Sequence, residues 1–130
     1  MTIETVYLSQ KAKDQLIKIK RATGIQNWNI LCRWAFCLSL ADKTIPPTVA
    51  ISQEEHAIEM TWKVFGGQEH DIYLSMLKSR CKKDQIILDR DNLTQQLRRH
   101  LHRGIVRMSD KNYIGNIGAL IKVNEEKYIQ

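Results

Sequence analysis

The pattern of apolar and polar positions is most distinctive at residues 27–40. From Trp28 onward only Asn29, Arg33 and Ser39 are polar, and on a helix of 3.6 residues per turn these three share their sector with apolar neighbours. No face of such a helix is suited to water. The stretch is shorter than the roughly 20 apolar residues that cross a bilayer. It therefore predicts a buried helix, covered by its own chain and by a second copy of the protein.

The preceding segment predicts a strand and then an amphipathic helix. Glu4–Leu8 alternates and is rich in β-forming residues. Ser9 suits the N-cap of a helix that runs to about Thr23, and Gly24 suits the position after its end. The expected inner stripe is Ala12, Leu16, Ile19 and Thr23. Because one strand is not stable alone, it must pair elsewhere in the chain or with its twin in another subunit.

After the buried helix, the pattern predicts a hairpin and further helices. Thr48–Ile51 and Ile58–Phe65 are the strand candidates, with a turn at Gly66 and Gly67. Helices are expected from Asp71 to about Lys83, from Asp91 or Asn92 onward, and over Asn112–Leu120. The inner stripe of the second of these helices is Leu93, Leu97, Leu101, Gly104, Ile105 and Met108. Gly104 in that stripe indicates close helix packing.

Residues 4–41 resemble the ribbon-helix-helix unit of small DNA-binding proteins in the order of their elements. In that unit, strands from two subunits form a ribbon and the second helices pack together, which would explain both the lone strand and the apolar helix. The competing interpretation is a monomeric helical domain. The predicted fold is mainly α: this ribbon-helix-helix-like strand-helix-helix unit, then a short β hairpin and two to three further helices, in a single domain of residues 1–130.

The net charge of +6 is unevenly distributed along the chain. Two basic segments, residues 1–44 and 76–130, flank an acidic segment at 45–75. This asymmetry is typical of a polyanion-binding surface, although basic solvated faces are common in proteins that bind nothing charged. Two sets of cations are the candidate DNA contacts. The first lies on the N-terminal helix: Lys11, Lys13, Lys18, Lys20 and Arg21. The second lies on the expected outer face of the last long helix: Arg98, Arg99, Arg103 and Arg107.

The first set is favoured because it adjoins the presumed symmetry axis, where several copies would combine into one positive field. The second set is the alternative, and its other use would be a protein partner. Like charges four residues apart repel by a few tenths of a kcal/mol, roughly, and a polyanion would relieve this penalty. The ordinary alternative for both sets is an amphipathic helix with solvated cations.

The sequence contains no arrangement of residues that predicts catalysis or metal binding. Cys32 and Cys37 lie in the apolar helix and are expected to be buried, reduced thiols. Cys81 stands beside Arg80, Lys82 and Lys83, which would lower a thiol pKa and allow a redox or sulfur-relay role. The four histidines have no metal-ligand spacing. No cofactor is expected, and the start of the sequence has no secretory signal, which favours the cytoplasm.

Several strings carry a closer resemblance, to the bacterial DNA sulfur modification protein DndE family. They are Arg21–Ile25, Trp28–Leu40, Ile45–Pro47, Glu59–Gly67, Asp71–Tyr73 and His100–Ile105. The resemblance implies a small cytoplasmic protein of the phosphorothioation machinery, which replaces a non-bridging phosphate oxygen of DNA with sulfur. It also implies a non-enzymatic component that binds duplex DNA, including nicked duplex, through a basic surface of a homotetramer.

Partner proteins carry the sulfur chemistry in the family that the chain resembles: a cysteine desulfurase, a DndC-like sulfurtransferase with an iron–sulfur cluster, and a DndD-like ATPase. No membrane partner is expected. Two alternatives remain at this point. One is an interaction module that docks through exposed Ile17 and the acidic middle segment, with DNA contacted by its partners. The less favoured one is a DNA-nicking enzyme.

Overall fold

The protein has five helices and two short strands within the residues that its computed structural model describes, which are 3–49 and 56–116. The elements are β1 (Thr5–Ser9), α1 (Gln10–Thr23), α2 (Trp28–Ala41), β2 (His56–Thr61), α3 (Trp62–Gly66), α4 (His70–Lys83) and α5 (Arg90–Met108). A 3-10 turn at Gly67–Glu69 joins α3 to α4, and residues 111–116 are helical. The predicted mainly helical class is confirmed.

The first helix forms as the sequence predicts. The Ser9 hydroxyl accepts a hydrogen bond from the Ala12 amide at 3.1 Å, so it caps α1. Gly24 ends the helix with a φ of 76°, a conformation that only glycine adopts without strain. The buried residues of α1 are the predicted ones: Ala12, Leu16, Ile19 and Thr23. The remaining positions, including the cations, are exposed or half-buried.

The pairing of the N-terminal strand differs from the ribbon-helix-helix expectation. β1 pairs with β2 of the same chain in an antiparallel sheet, with Val6 opposite Met60 and Leu8 opposite Ile58. The partner of this strand therefore lies within the chain, and a ribbon between two subunits is not needed to explain it. The proposed hairpin partner is wrong in its described part, since Thr48 and Val49 are outside any strand. The rest of that strand and its loop, residues 50–55, lie outside the described residues.

The second strand is shorter than its alternation predicts. It ends at Thr61, and residues 62–66 form α3 instead of continuing the strand. The Thr61 hydroxyl accepts a hydrogen bond from the Val64 amide at 3.2 Å and caps this helix. The helical spacing places Trp62 and Phe65 together in the core, while Val64 is 52% exposed. A strand would have placed Trp62 and Val64 on the same face.

The centre of the core is the contact between α2 and α5. The predicted inner stripe of α5 is buried throughout. Gly104 lies so close to α2 that an added Cβ would be 2.7 Å from the Ala35 Cα and closer still to its carbonyl. The prediction of close helix packing at Gly104 is confirmed. Phe36 of α2 packs edge-on against Phe65 and Tyr73, which extends the core to α3 and α4.

The opposite side of α2 remains open. Its buried residues, among them Leu31, Ala35 and Phe36, lie on one side of the helix. Ile30 is 41% exposed, and Cys37 and Ala41 are exposed. Within residues 3–49 and 56–116, the chain therefore covers mainly one side of this apolar helix.

Candidate nucleic-acid interface

The cations of α1 surround its buried stripe on both flanks. Lys11, Lys18 and Arg21 are exposed, and Lys13 and Lys20 are half-buried. Helical geometry places Lys11 with Lys18 on one flank, Lys13 with Lys20 on the other, and Arg21 on the outward side. The predicted basic helix is therefore present at the surface with all five of its cations accessible to solvent.

Two of these lysines also make contacts within the chain. The Lys18 Nζ donates a hydrogen bond to the Ser109 carbonyl at the end of α5, at 3.1 Å. The Lys20 Nζ lies 4.3 Å from the centroid of the Trp28 ring, a cation–π contact across the turn between α1 and α2. These contacts direct the two side chains without neutralising them, because neither contact involves a carboxylate.

The cations of α5 do not form the single outward surface that the sequence predicts. Arg103 is only 8% exposed and belongs to the interior. His102, on the same helix, is also buried. Its Nδ1 lies 2.7 Å from the Arg98 carbonyl, and its Nε2 accepts a hydrogen bond from the Ser9 amide at 3.3 Å. His102 thus joins β1 to α5 and is not a surface group.

Arg103 donates all of its hydrogen bonds to the end of α2 and the loop that follows. Its Nε donates to the Ser39 hydroxyl at 2.8 Å. The two terminal nitrogens donate to the Ser39, Asp42 and Thr44 carbonyls and to the Thr44 hydroxyl at 2.8 to 3.4 Å. A guanidinium has five N–H groups, and here each one has an acceptor. Arg103 therefore has no donor free for a phosphate in this structure, which disfavours the prediction that it contacts DNA.

The other three arginines of α5 are in separate environments. Arg107 forms an ion pair with Asp42. Arg98 and Arg99 are half-buried and, as neighbours on a helix, point in directions about 100° apart. Arg98 lies over a groove with Glu4 and Tyr7. The arginine set is thus divided between an internal cluster and two different sides of the molecule.

A second buried arginine, Arg80 of α4, reaches the same end of α2. The sequence places it among the cations that favour a helix C-terminus, but it is 8% exposed. It donates to the Leu40 carbonyl at 3.1 Å, to the Thr44 carbonyl at 2.6 Å and to Asp84 at 3.0 Å. Arg80 and Arg103 together supply donors to the carbonyls at the end of α2, where the helix dipole is negative.

His100 completes this cluster as a neutral side chain. Its Nδ1 lies 2.8 Å from the Ser39 hydroxyl oxygen, which already accepts a hydrogen bond from Arg103. The hydroxyl oxygen has one proton and two lone pairs, so while it accepts from Arg103 it can either donate to Nδ1 or accept from it. Burial, reinforced by the positive charges of Arg80 and Arg103, lowers the pKa of His100 to about 4. The imidazole therefore carries no charge at neutral pH.

We expect the fold to lose stability in acid before its carboxylates are protonated. The unfolded state binds a proton at His100 near pH 6.5, whereas the folded state binds it only near a pKa of about 4. Stability should be complete above pH 6.5 and should decline between pH 6.5 and 4, by roughly 3 kcal/mol. Hydrogen bonds from Thr44 and Arg107 lower the pKa of Asp42, so its contribution is lost below about pH 4.

Urea unfolding across this pH range would measure the effect. The His100→Asn variant retains a hydrogen-bond acceptor near Ser39 but does not titrate, so its stability should vary less between pH 6.5 and 4. His102 contributes in the same direction, because burial lowers its pKa as well. An identical pH dependence in the variant would refute the assignment to His100.

The cysteines do not provide a reactive thiol. Cys32 is buried, as predicted, and burial raises its pKa to about 12. Cys37 is exposed, so the prediction of a buried thiol is wrong at this position. Burial and the neighbouring carboxylate of Asp84 raise the pKa of Cys81 to about 11, despite the opposing effect of Arg80. Burial and the raised pKa of its thiol both disfavour the redox role suggested for Cys81.

The described part of the chain offers neither a metal-binding group nor a membrane span. No cluster of three His, Cys, Asp or Glu side chains that could hold a metal ion occurs among residues 3–49 and 56–116. No helix in those same ranges is long and apolar enough to cross a bilayer.

Comparison with protein families gives a match over most of the chain. The family model described as DNA sulphur modification protein DndE matches residues 5–115. The chain belongs to the DndE family. This family takes part in DNA phosphorothioation modification. The resemblance found in the sequence strings is thereby confirmed, and no curated protein sequence matches the chain.

Two solved DndE structures share the fold. One is the crystal structure of DndE from Escherichia coli B7A, involved in DNA phosphorothioation modification. It is 23% identical and covers 83% of this chain and 98% of its own, with a TM-score of 0.67. The other is a glycine-to-lysine mutant of DndE involved in DNA phosphorothioation. It is 20% identical, with a TM-score of 0.61, and covers 82% of this chain and 97% of its own.

Sequence reasoning missed all three side chains, Arg80, His100 and Arg103, that hold the end of α2 in this DndE-family chain. His100 and Arg103 were placed by their own helix periodicity, which does not show which neighbouring carbonyls lack donors. The signal that could have located them is the end of α2 at Ser39–Thr44, where Ser39, Asp42 and Thr44 are polar. Its last helical carbonyls need donors from elsewhere in the chain.

Proposed function

We propose that this protein is a non-catalytic DNA-binding subunit of the phosphorothioation machinery. It binds the backbone of duplex DNA, nicked duplex included, through the basic surface of α1, and it acts as a homo-oligomer, with a tetramer as the expected form. Its protein partners are the DndC-like and DndD-like components of the complex, and its compartment is the cytoplasm. The observation that supports this proposal is a difference between the two sets of cations. Two of the α5 arginines are already bonded within the chain, whereas the α1 cations form no ion pair with a described carboxylate.

Two of the candidate DNA-contacting arginines on α5 already form bonds within the chain. Arg103 has no free donor, and Arg107 is paired with Asp42. On α1, by contrast, none of the five cations forms an ion pair with a described carboxylate, and all are exposed or half-buried. Backbone binding requires cations that can exchange a solvent contact for a phosphate. The α1 surface satisfies this requirement, and it does so without a ribbon between subunits.

A non-catalytic role is part of the proposal. It agrees with the raised pKa of Cys32 and Cys81, which leaves these thiols protonated and unsuited to attack at neutral pH. The only exposed cysteine, within the described residues, is Cys37, which lies among apolar residues of α2 and not on α1. In this scheme the DndE-family subunit positions DNA, and its partners supply the chemistry.

The Lys18→Ala, Lys20→Ala variant should bind duplex DNA more weakly, and to a similar extent for unrelated sequences. Each neutralised phosphate contributes a slope of roughly −0.9 to log K against log salt, through counterion release. The slope should therefore become shallower by up to about two units per contacting subunit. Fluorescence anisotropy with a short labelled duplex across a salt series would measure both quantities, with nicked and intact duplexes compared.

Two further variants make the assignment to α1 specific. The Lys11→Ala, Arg21→Ala variant removes two exposed α1 cations and should have the same effect. The Lys78→Ala, Lys82→Ala variant removes the same charge from α4 and should leave the slope nearly unchanged. If affinity falls only in an Arg98→Ala, Arg99→Ala variant, the α5 surface is the DNA contact. If the wild-type protein does not bind DNA, its role is the scaffold alternative, with DNA contacted by its partners.

A further inference from the structure

A groove of about 380 Å³ lies between the N-terminal strand and the first half of α5. In β1, Val6 and Leu8 are buried in the core. Alternation therefore turns Thr5 and Tyr7 to the opposite face, where they line the groove. The other wall is one face of α5, formed by residues at three- and four-residue spacing: Asp91, Thr94, Gln95 and Arg98. The volume is within the range of small-ligand sites, roughly 300–1,000 Å³.

Tyr7 presents an aromatic ring to this groove. Its ring stacks on that of His56 in the neighbouring strand β2, with the ring centroids 4.1 Å apart and the ring planes 23° from parallel. His56 thus supports one face of the tyrosine ring. Within residues 3–49 and 56–116, no second aromatic ring and no lysine or arginine packs on it. A ring supported in this way suits stacking by a planar aromatic ligand, which is how many proteins bind nucleobases.

Arg98 adds a positive charge that has no ion-pair partner among the described residues. The side chain is half-buried, and its Nε is enclosed without an acceptor. No carboxylate in residues 3–49 or 56–116 forms an ion pair with it. The other arginine of the groove, Arg90, lies 3.5 Å from Glu4. An enclosed donor without an acceptor is costly, and an anionic ligand at this end of the groove would give the terminal guanidinium nitrogens acceptors.

The two ends of the groove differ in charge. Arg98 follows Asp91 by seven residues, which corresponds to about 10 Å along a helix. Glu4 and Asp91, both exposed, lie at the end far from Arg98. Their carboxylates would repel a phosphate, whereas the amino groups of nucleobases donate hydrogen bonds to carboxylates. A nucleotide would therefore place its phosphate at Arg98 and the edge of its base toward Glu4 and Asp91.

The Arg98 end of the groove adjoins the start of α1. His102 is one helical turn after Arg98, and its Nε2 accepts a hydrogen bond from the Ser9 amide at 3.3 Å, immediately before α1 begins. Further along, the Lys18 Nζ donates to the Ser109 carbonyl at the end of α5, so α1 continues beside α5 in the same direction. A DNA strand whose phosphates contact the cations of α1 can therefore continue to Arg98.

We propose that this groove binds one unpaired nucleotide of a DNA strand, with the base stacked on Tyr7 and the phosphate at Arg98. The inference deepens the proposed function, on which it rests, by naming the part of the DNA that this site takes. A paired base cannot enter, because both of its faces are stacked within the duplex. A bulged nucleotide, or the last nucleotide of a strand, offers a free base together with a phosphate. The adjoining duplex remains on the cations of α1.

The first test compares three duplexes of one sequence: fully paired, with a single bulged nucleotide, and with the bulged nucleotide abasic. In fluorescence anisotropy, wild-type protein should bind the base-bearing bulge about tenfold more tightly than the other two, because stacking of a base on an aromatic side chain has this order of magnitude. The abasic bulge keeps the distortion of the duplex and the phosphate but lacks the base. Equal affinity for the base-bearing and abasic bulges would overturn the proposal.

Variants of the groove identify the two contacts. Tyr7→Ala should lose the preference for the base-bearing bulge and keep the affinity for paired duplex, whereas Tyr7→Phe should retain the preference because the ring remains. Arg98→Ala should make the salt dependence shallower by roughly one unit per subunit, for the bulged duplexes only. Arg90→Ala is the matched control, since Arg90 lines the same groove but pairs with Glu4. This control should retain the wild-type preference. A folded Tyr7→Ala variant with that preference, or an equal slope change for paired duplex in Arg98→Ala, would refute the site.

The second test does not depend on the stability of a variant. With 5-iododeoxyuridine as the bulged nucleotide, irradiation of the wild-type complex should cross-link the base to Tyr7, and mass spectrometry of the tryptic peptides would locate the cross-link. The same probe within the paired part of the duplex should not cross-link to Tyr7. Cross-linking to another aromatic residue, or none while the bulged duplex is bound, would contradict the proposal.

The outcomes separate this inference from the proposed function. Wild-type protein that binds paired duplex but does not distinguish the base-bearing bulge would refute the groove alone. A Tyr7-dependent preference that persists in the Lys18→Ala, Lys20→Ala variant, with an unchanged salt slope, would refute the α1 surface and support the groove. Deoxyadenosine monophosphate at millimolar concentration should not displace the bulged duplex, because it lacks the contacts to α1. Displacement at micromolar concentration would make the groove a site for free nucleotides and overturn its assignment to a DNA strand.

Discussion

The Gly104→Ala variant should lose about 3 kcal/mol of stability, near the upper end of the penalties for overpacking a core. The added methyl group would overlap the Ala35 carbonyl and lie 2.7 Å from the Ala35 Cα. These are backbone atoms of α2, so no side chain can turn aside to make room. The helices must separate, and the packing along the whole α2–α5 contact weakens. For a chain of this size the midpoint of thermal unfolding should fall by roughly 10 °C.

The matched control is Gly115→Ala, in the helical residues 111–116. An added Cβ at Gly115 meets nothing within 4 Å, and alanine is favoured over glycine inside a helix by roughly 0.5–1 kcal/mol. This variant should be as stable as the wild type or slightly more so. Calorimetry or urea unfolding of both variants would measure the difference. If Gly104→Ala were as stable as Gly115→Ala, the close contact of α2 with α5 would be wrong.

The sequence predicted correctly those helices whose apolar spacing matches the residues that are buried in the structure. The inner stripes of α1 and α5 were predicted residue by residue, because each helix presents one narrow apolar face to one core. The caps at Ser9 and Gly24 followed from side-chain and backbone chemistry that acts within a few residues. These elements need no information about distant parts of the chain.

The partner of the N-terminal strand could not be predicted in this way. β1 pairs with a strand about 50 residues later, and alternation alone does not identify which strand is the partner. The same limitation led to the strand prediction for residues 62–65. There, the aromatic residues are compatible with both a strand and a short helix, and the Thr61 cap together with the burial of Phe65 decides for the helix.

The candidate site shows how tertiary contacts change the interpretation of a charged helix. By periodicity, Arg103 and Arg107 stack on a solvent-facing row of α5. The row in fact faces the end of α2, where unpaired carbonyls and Asp42 supply acceptors. These acceptors offset part of the repulsion that the sequence had suggested a polyanion would relieve, although burial and the charges of Arg107 and Arg80 still lower the pKa of Arg103. The arrangement also supports the choice of α1, which the sequence analysis already favoured, because the cations of α1 have no comparable partners.

Arg103→Met should be among the most destabilising substitutions in the protein, with little direct effect on DNA affinity. Methionine is of similar length and removes all five donors, so the carbonyls of Ser39, Asp42 and Thr44 lose hydrogen bonds in a buried setting. Loss of one partner from such a network costs about 3 kcal/mol or more. Arg103→Lys should recover only part of this, because an ammonium cannot span acceptors on both Ser39 and Thr44.

Arg107→Ala is the control. Arg107 lies on α5, as Arg103 does, and its carboxylate partner is Asp42, which is also close to Arg103. The Arg107 side chain is 43% exposed, so its pairing with Asp42 is screened by solvent and its removal should change stability far less. DNA affinity should be compared at a temperature where every variant is folded, with the salt slope as the decisive quantity. A slope in Arg103→Met equal to that of the wild type would establish Arg103 as a structural residue. A slope reduced by about one unit per subunit, in a folded protein, would instead show that this guanidinium reaches a phosphate.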